Sequence, residues 1–159
     1  MLEVNVIHVG NMKESFYKEA LAEYKKRLSA YCTFTETEIK EAYLPESPSK
    51  LQIEAALAKE GAQILAKIPQ RAFVAALCVE GKQISSEELA QLTEKAASEA
   101  GKLVFIIGSS YGLAPEVKSA ANTRLSFSKM TFPHRLMRVM LSEQIYRAFT
   151  INAGKTYHK

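Results

Sequence analysis

Hydrophobic positions along the chain follow two alternating patterns. Short runs of β-branched or uniformly apolar residues predict five strands, at 2–9, 32–39, 72–79, 103–107 and 124–127. Longer runs with helical spacing predict five helices, at 15–28, 49–68, 85–101, 115–121 and 133–149. This alternation is typical of an α/β fold with a mostly parallel sheet sandwiched by helices. No repeat, linker or break in composition divides the chain, so residues 1–159 are predicted to form one domain.

Local signals support the predicted helix starts and the parallel sheet. Ser49 with Gln52, and Ser85 with Glu88, form capping-box patterns at the beginnings of two predicted helices. The predicted strand 103–107 is apolar at every position, as is typical of a parallel strand that is covered on both faces.

The last predicted helix, 133–149, is apolar on nearly every side. A terminal helix of a small chain has few neighbours in its own chain, so we expect a second copy to cover it in a homodimer. Arg135, Arg138 and Ser142 form one narrow polar strip along this helix.

Composition narrows the chemistry that the chain can perform. All 17 acidic residues are Glu, because the sequence contains no Asp. That absence excludes a Ser-His-Asp triad, an aspartic dyad, an EF-hand loop and a phosphoaspartyl enzyme. It also disfavours a dedicated metal site, and none of the three histidines has metal-ligand spacing to a cysteine or to another histidine. We therefore expect no metal.

The net charge of +4 is unevenly distributed along the chain. The segment from Lys118 to Lys159 holds eight of the 21 Lys and Arg residues but a single acid, Glu143. A basic end on an acidic body is typical of a protein that binds a polyanion such as nucleic acid, and also of an ordinary solvated surface.

Cysteine usage and hydropathy indicate where the protein is found. Cys32 and Cys78 lie in predicted strands without motif spacing, so we expect reduced thiols and a cytoplasmic location. The longest apolar run, 72–79, is too short to cross a membrane, and Glu3 stands where a secretory signal carries basic residues. We expect no association with membranes.

Candidate chemistry lies at three predicted strand exits, because ligands of parallel sheets bind outside the carboxyl ends of the strands. These exits are 77–82, 107–112 and 127–132. Taken alone, each is more often a plain turn, but the Phe-x-x-Met-x-Phe array of the third could enclose an adenine-like ring. None of them matches a dinucleotide-binding fingerprint or a P-loop.

The three histidines invite different interpretations. His8 lies inside a predicted strand and is interpreted as structural. His134 begins the last helix, where capping and catalysis both stay open. His158 is the penultimate residue, beside Tyr157, in a tail that is either mobile or folded over a site. In the second case the tail would bring an imidazole, a phenol and cations together.

Four segments of the sequence resemble a known family. They are Phe105-Ile-Ile-Gly108, the block LSFSKMTFPH at 125–134, the helix segment 138–149 and the closing Tyr157-His158-Lys159. On these residues the chain resembles, over essentially its whole length, the RlmH family of small SPOUT-class ribosomal RNA methyltransferases. Members of that family modify N3 of pseudouridine 1915 in 23S ribosomal RNA.

The resemblance implies a SPOUT-type α/β knot with a C-terminal trefoil knot, a homodimer, S-adenosylmethionine as the methyl donor, and 23S rRNA within the ribosome as the partner. The cofactor contacts that it implies fall on the three strand exits: Leu77, Gly108, Phe127, Ser128, Lys129, Met130, Thr131 and Phe132. Ser109 and Cys78 depart from the family pattern, in which a second glycine and an acidic residue are usual.

The implied reaction also points to candidate catalytic and RNA-binding residues. An imidazole can accept the imide proton of N3, so His158 is the candidate base and Tyr157 its partner, while direct loss of the proton to water stays open. The RNA-binding candidates are the cations of the basic end, namely Lys129, Arg135, Arg138, Lys155 and Lys159. Two rival functions remain, a non-catalytic RNA-binding α/β module and a metabolite-binding dimer.

Overall fold

The computed structural model describes residues 1–159, and its five strands alternate with five helices. The strands are β1 (Glu3–Val9), β2 (Thr33–Ile39), β3 (Phe73–Gln83), β4 (Lys102–Ile107) and β5 (Thr123–Ser126). The helices are α1 (Ser15–Leu28), α2 (Lys50–Lys67), α3 (Ser86–Glu99), α4 (Pro115–Ala120) and α5 (His134–Asn152). The predicted α/β alternation is confirmed.

All five strands join one sheet in the order β2-β1-β4-β3-β5, and every neighbouring pair is parallel. The prediction of a parallel sheet is therefore confirmed. Because the strands all run in the same direction, their carboxyl ends lie along a single edge of the sheet.

Helices cover both faces of the sheet. Along β4, Phe105 belongs to a core cluster that includes Ile145 of α5, together with buried residues of α1 and α3. The next residue, Ile106, belongs to a second cluster that includes Ile64 of α2 and Val117 of α4. This burial from both sides explains why β4 is apolar at every position.

Both predicted capping boxes are present. The hydroxyl of Ser49 accepts a hydrogen bond from the backbone N–H of Gln52 at 3.2 Å, and the hydroxyl of Ser85 accepts one from Glu88 at 3.0 Å. The reciprocal bonds to the Ser49 and Ser85 backbone are formed as well. These bonds fix where α2 and α3 begin.

The end of β3 differs from the prediction. The strand continues to Gln83 instead of ending near residue 79, and its pairing with β5 shifts, so that Leu77 and Lys82 both lie opposite Leu125. Segment 77–82 is therefore a bulged strand, and its prediction as a strand exit was wrong. At Gly81, β3 approaches β5 so closely that a Cβ atom would lie 2.7 Å from the carbonyl carbon of Leu125.

Helix α5 is longer than predicted and is better covered by its own chain. No residue from 134 to 151 is exposed, and the helix packs mainly against α3 and α1. These two helices cover much of α5, but several of its apolar side chains stay half-buried, among them Val139 and Met140. The expectation that a second copy covers this helix therefore stays a prediction. None of the five helices combines the length and hydrophobicity that crossing a bilayer requires.

Candidate functional site

A cleft of about 500 Å³ opens at the carboxyl edge of the sheet. Its walls are the bulge of β3 at 77–80, the turn 107–112 after β4 and the loop 125–134 after β5. Ten of its 21 lining residues are hydrophobic, so the cleft suits a ligand with both apolar and polar parts. The three segments that the sequence singled out thus lie together around one cavity.

The turn after β4 provides a wall of tightly packed backbone. A Cβ atom on Gly108 would lie 2.2 Å from the carbonyl oxygen of Gly112, so this position accepts no side chain. The backbone N–H of Gly112 donates to the carbonyl oxygen of Ser109 at 2.9 Å, and Gly112 has a φ of +90°. Ser109 itself has no positive φ, so the serine that departs from the family pattern fits the turn without backbone strain.

Two hydrogen bonds, each between residues two positions apart in the sequence, shape the loop after β5. The hydroxyl of Ser126 donates to the carbonyl oxygen of Ser128 at 2.9 Å, and the Ser128 hydroxyl accepts from the backbone N–H of Met130 at 3.0 Å. Seven of the eight predicted cofactor residues line the cleft, namely Leu77, Gly108, Phe127, Ser128, Met130, Thr131 and Phe132. The eighth, Lys129, is exposed and does not line it.

The cleft also contains residues to which the sequence analysis assigned no part in it. Lys118 of α4 forms an ion pair with Glu80, and its hydrogen bond lowers the pKa of that carboxyl. His134, which sequence analysis left open, lines the cleft, and burial lowers the pKa of its imidazole. It is the first residue of α5, and no side chain caps this helix. The only feature of the sequence that singled out Lys118 was its position in the basic segment 118–159, and this feature did not predict a place in the cleft.

Two of the predicted RNA-binding cations anchor α5 within the chain. Arg135 donates from Nε to the carbonyl oxygen of Asn11 at 3.0 Å and from Nη1 to Glu14 at 3.0 Å. Arg138 is only 6% exposed, and its Nη2 donates to Glu36 of β2 at 3.1 Å. The structure thus gives these two residues intramolecular acidic partners, and it leaves Arg138 without access to a phosphate.

Comparison with known proteins places the chain in a family. The family model described as "Predicted SPOUT methyltransferase" matches residues 2–158. The chain belongs to the SPOUT methyltransferases. Proteins named "Ribosomal RNA large subunit methyltransferase H" are similar to it over 99% of this chain and 100% of their own length. Those from Exiguobacterium sibiricum and Carboxydothermus hydrogenoformans are 48% identical to it, and that from Ligilactobacillus salivarius is 46% identical.

The C-terminal tail of this SPOUT methyltransferase folds back on α5 and α3. The Tyr157 hydroxyl donates to Oε1 of Glu143 at 3.0 Å, and burial together with this bond raises the pKa of Tyr157 to about 12. Nδ1 of His158 lies 3.1 Å from Nη1 of Arg147, and its Nε2 lies 2.6 Å from Oε1 of Glu87. Arg147 can only donate, so Nδ1 is the acceptor and Nε2 carries the proton. Neither Tyr157 nor His158 lines the cleft of its own chain.

The remaining predicted RNA-binding residues are accessible. Lys155 and Lys159 of the tail are exposed, and so is Lys129 beside the cleft. None of these three lysines forms an ion pair. This SPOUT methyltransferase therefore presents three unpaired cations between residue 129 and its C-terminus.

Proposed function

We propose that the protein transfers a methyl group from S-adenosylmethionine to N3 of pseudouridine 1915 in 23S ribosomal RNA, and that it acts on assembled ribosomal particles in the cytoplasm. The observation that carries this proposal is the single cleft formed by the bulge of β3, the turn after β4 and the loop after β5 in a SPOUT methyltransferase. The names of the relatives support ribosomal RNA of the large subunit as the substrate.

The lining of the cleft supports S-adenosylmethionine as the ligand. The turn at Gly108 contributes closely packed backbone to one wall of the cleft, because the Gly112 carbonyl fills the space that a Gly108 side chain would need. Phe127, Met130 and Phe132 offer apolar surface for a purine ring, and the Ser128 region offers polar groups. When bound there, S-adenosylmethionine supplies a methyl group that its sulfonium already activates, so the protein mainly has to orient the two reactants.

The N3 proton of the pseudouridine has to leave during the reaction, and His158 is the proposed base with Tyr157 as its partner. In the docked tail, the lone pair of His158 Nδ1 is occupied by Arg147 and its Nε2 by Glu87. Nδ1 of His158 therefore has to leave Arg147 before it can accept a proton, whereas the contact of Nε2 with Glu87 can stay. Direct transfer of the proton to water is the alternative that needs no movement of the tail.

Lys129, Lys155 and Lys159 are the proposed phosphate contacts, since they are exposed and unpaired. We do not include Arg135 and Arg138 among them, because Glu14 and Glu36 already neutralise their guanidinium groups. The two arginines instead hold the first turns of α5, and with them the end of the cleft loop, against the β1–α1 turn and β2.

The proposal includes one domain over residues 1–159, a C-terminal trefoil knot and a homodimer, as the family resemblance implies. A second groove of about 440 Å³ beside α5 supports the homodimer. It is lined mainly by hydrophobic residues, among them Val139 and Met140, which a second copy would cover. Analytical ultracentrifugation tests this part, and a monomer at micromolar concentration contradicts it.

Methylation of ribosomal particles that lack the modification tests the function. Mass spectrometry of a 23S rRNA fragment that contains the target nucleotide should show one added methyl group only when both enzyme and S-adenosylmethionine are present. Calorimetric titration with S-adenosylmethionine should show binding in the absence of RNA. Particle binding without cofactor binding or methylation would instead identify a non-catalytic RNA-binding module, and cofactor binding without particle binding would identify a metabolite-binding dimer.

A further inference from the structure

The opening of the cleft carries exposed apolar surface. Eight large hydrophobic side chains of the chain are exposed, and three of them, Val79, Tyr111 and Met130, line this one cleft. Each belongs to a different wall, because Val79 lies in the bulge of β3, Tyr111 in the turn after β4 and Met130 in the loop after β5. Exposed apolar side chains that gather around a cavity mark a surface that binds a partner or a ligand.

Tyr111 is the only exposed aromatic residue among those that line the cleft. It is 46% exposed, whereas Phe127 and Phe132 are half-buried. None of the aromatic contacts within the chain involves Tyr111, so its ring has no aromatic partner of its own. A ring in this position can stack on a planar group of a ligand that enters the cleft.

Backbone contacts within the turn hold Tyr111 in place. The backbone N–H of Tyr111 donates to the Ser109 hydroxyl at 3.4 Å, and that of Gly112 donates to the Ser109 carbonyl oxygen at 2.9 Å. The carbonyl oxygen of Gly112 packs against Gly108, where a Cβ atom would lie only 2.2 Å from it. Because a tyrosine side chain has few rotatable bonds, a ring on a turn fixed in this way loses little conformational entropy when it stacks on a ligand.

An unpaired cation lies next to this apolar surface. Lys129 directly precedes Met130, is exposed and forms no ion pair. Lys118, the lysine that lines the cleft, is by contrast already paired with Glu80. An exposed aromatic ring together with a free cation is typical of surfaces that bind unpaired nucleotides, since the ring stacks on the base and the cation contacts the phosphate.

We propose that Tyr111 stacks on the target base of the RNA when this base enters the cleft, and that it thereby positions the base for methyl transfer. This inference rests on the proposed function and deepens it by naming a residue that holds the target nucleotide. A base inside an RNA stack cannot reach a methyl donor within the cleft, so the target has to leave its neighbours. The Tyr111 ring replaces part of the stacking that the base then loses.

The equilibrium affinity for unmodified ribosomal particles tests this role, measured by co-sedimentation with the full chain. S-adenosylhomocysteine is added, so that no methyl group is transferred during the measurement. Tyr111→Ala should weaken binding about tenfold, because it removes one base-stacking contact. Tyr111→Phe keeps the ring and should bind within about twofold of the wild type. In methylation assays, Tyr111→Ala should raise the KM for particles and leave the KM for S-adenosylmethionine unchanged.

Tyr43→Ala is the matched control. Tyr43 is 88% exposed, lies in the loop after β2 and does not line the cleft, so its replacement should leave the affinity for particles unchanged. Salt separates stacking from charge. Tyr111→Ala should leave the slope of log affinity against log salt unchanged, whereas Lys129→Ala should reduce it by roughly 0.7. Circular dichroism reports whether each variant is folded, and calorimetry reports whether it binds S-adenosylmethionine.

The outcomes separate this inference from the proposed function. A wild-type protein that binds no ribosomal particles contradicts both. A wild-type protein that binds particles and methylates them, together with a folded Tyr111→Ala variant of equal affinity, overturns the role of Tyr111 alone. Equal losses in Tyr111→Ala and Tyr111→Phe also overturn it, because stacking does not need the hydroxyl. Weaker binding of S-adenosylmethionine by Tyr111→Ala would assign the ring to the cofactor, and a changed oligomeric state would assign it to a subunit contact. Either result likewise overturns the inference.

Discussion

Replacing Gly108 by alanine tests whether cofactor binding in the cleft requires a residue without a side chain at position 108. The added Cβ would lie 2.2 Å from the carbonyl oxygen of Gly112 and 2.9 Å from Cδ2 of Leu113, whereas ordinary contacts begin at 3.4 Å. The turn must therefore open by about 1 Å, and overpacking of this kind typically destabilises a protein by about 1–3 kcal/mol. A misplacement of about 1 Å can cost roughly 100-fold in reaction rate. Because the opened turn would also change the wall that the proposed cofactor contacts, we expect S-adenosylmethionine to bind about tenfold more weakly.

Gly101→Ala is the matched control, because it makes the same change at the opposite end of β4. Gly101 has a φ of +73°, and a Cβ there would have no atom within 4 Å. Backbone strain alone should then cost about 1–2 kcal/mol and leave the cofactor affinity unchanged. Urea unfolding measures the stability of both variants, and calorimetry measures their binding. Wild-type affinity in a folded Gly108→Ala protein would refute the assignment of this turn as a cofactor wall.

Three further predictions concern RNA, catalysis and pH. Lys155→Ala and Lys159→Ala should each reduce the slope of log affinity against log salt for RNA by roughly 0.7, and an unchanged slope would exclude that lysine as a phosphate contact. His158→Ala should slow single-turnover methylation at saturating RNA about 100-fold if the imidazole is the base, and an equal rate would rule this role out. Burial, and then Arg138, lower the pKa of His8 from 6.5, so the neutral form stabilises the fold. This contribution is complete above pH 6.5 and is lost as the pH falls through the folded pKa. The loss of stability to urea between about pH 7.5 and 5 should therefore be smaller in His8→Asn, and an equal loss would contradict this account.

Elements with strong local signals could be predicted from the sequence. The capping residues Ser49 and Ser85 satisfy helix N–H groups within three residues of themselves, so the starts of α2 and α3 needed no tertiary information. The end of β3 could not be predicted in this way. Residues 80–82 look like a polar turn, and the pairing of Lys82 depends on Leu125, which is more than 40 positions away along the chain.

The candidate cleft was predictable to a similar degree. Parallel strands bring their carboxyl ends to one edge, so the turns after β4 and β5 were expected to meet, and the structure brings both to the cleft. The ion-pair partners of charged side chains could not be predicted, because no local sequence signal distinguishes an arginine that faces solvent from one that pairs with an acidic residue. Arg138 meets Glu36, 102 positions away, and His158 meets Glu87, 71 positions away.

The sequence by itself determined the alternation of strands and helices, the strand burial on two faces and the glycine at 108, since these follow from local spacing and side-chain size. The tertiary structure alone decided which acids pair with the arginines of α5, and that the tail docks on its own chain with both nitrogens of His158 in contact with charged side chains. Such pairings depend on distances in space between segments far apart in the chain, and no periodicity along the sequence records those distances.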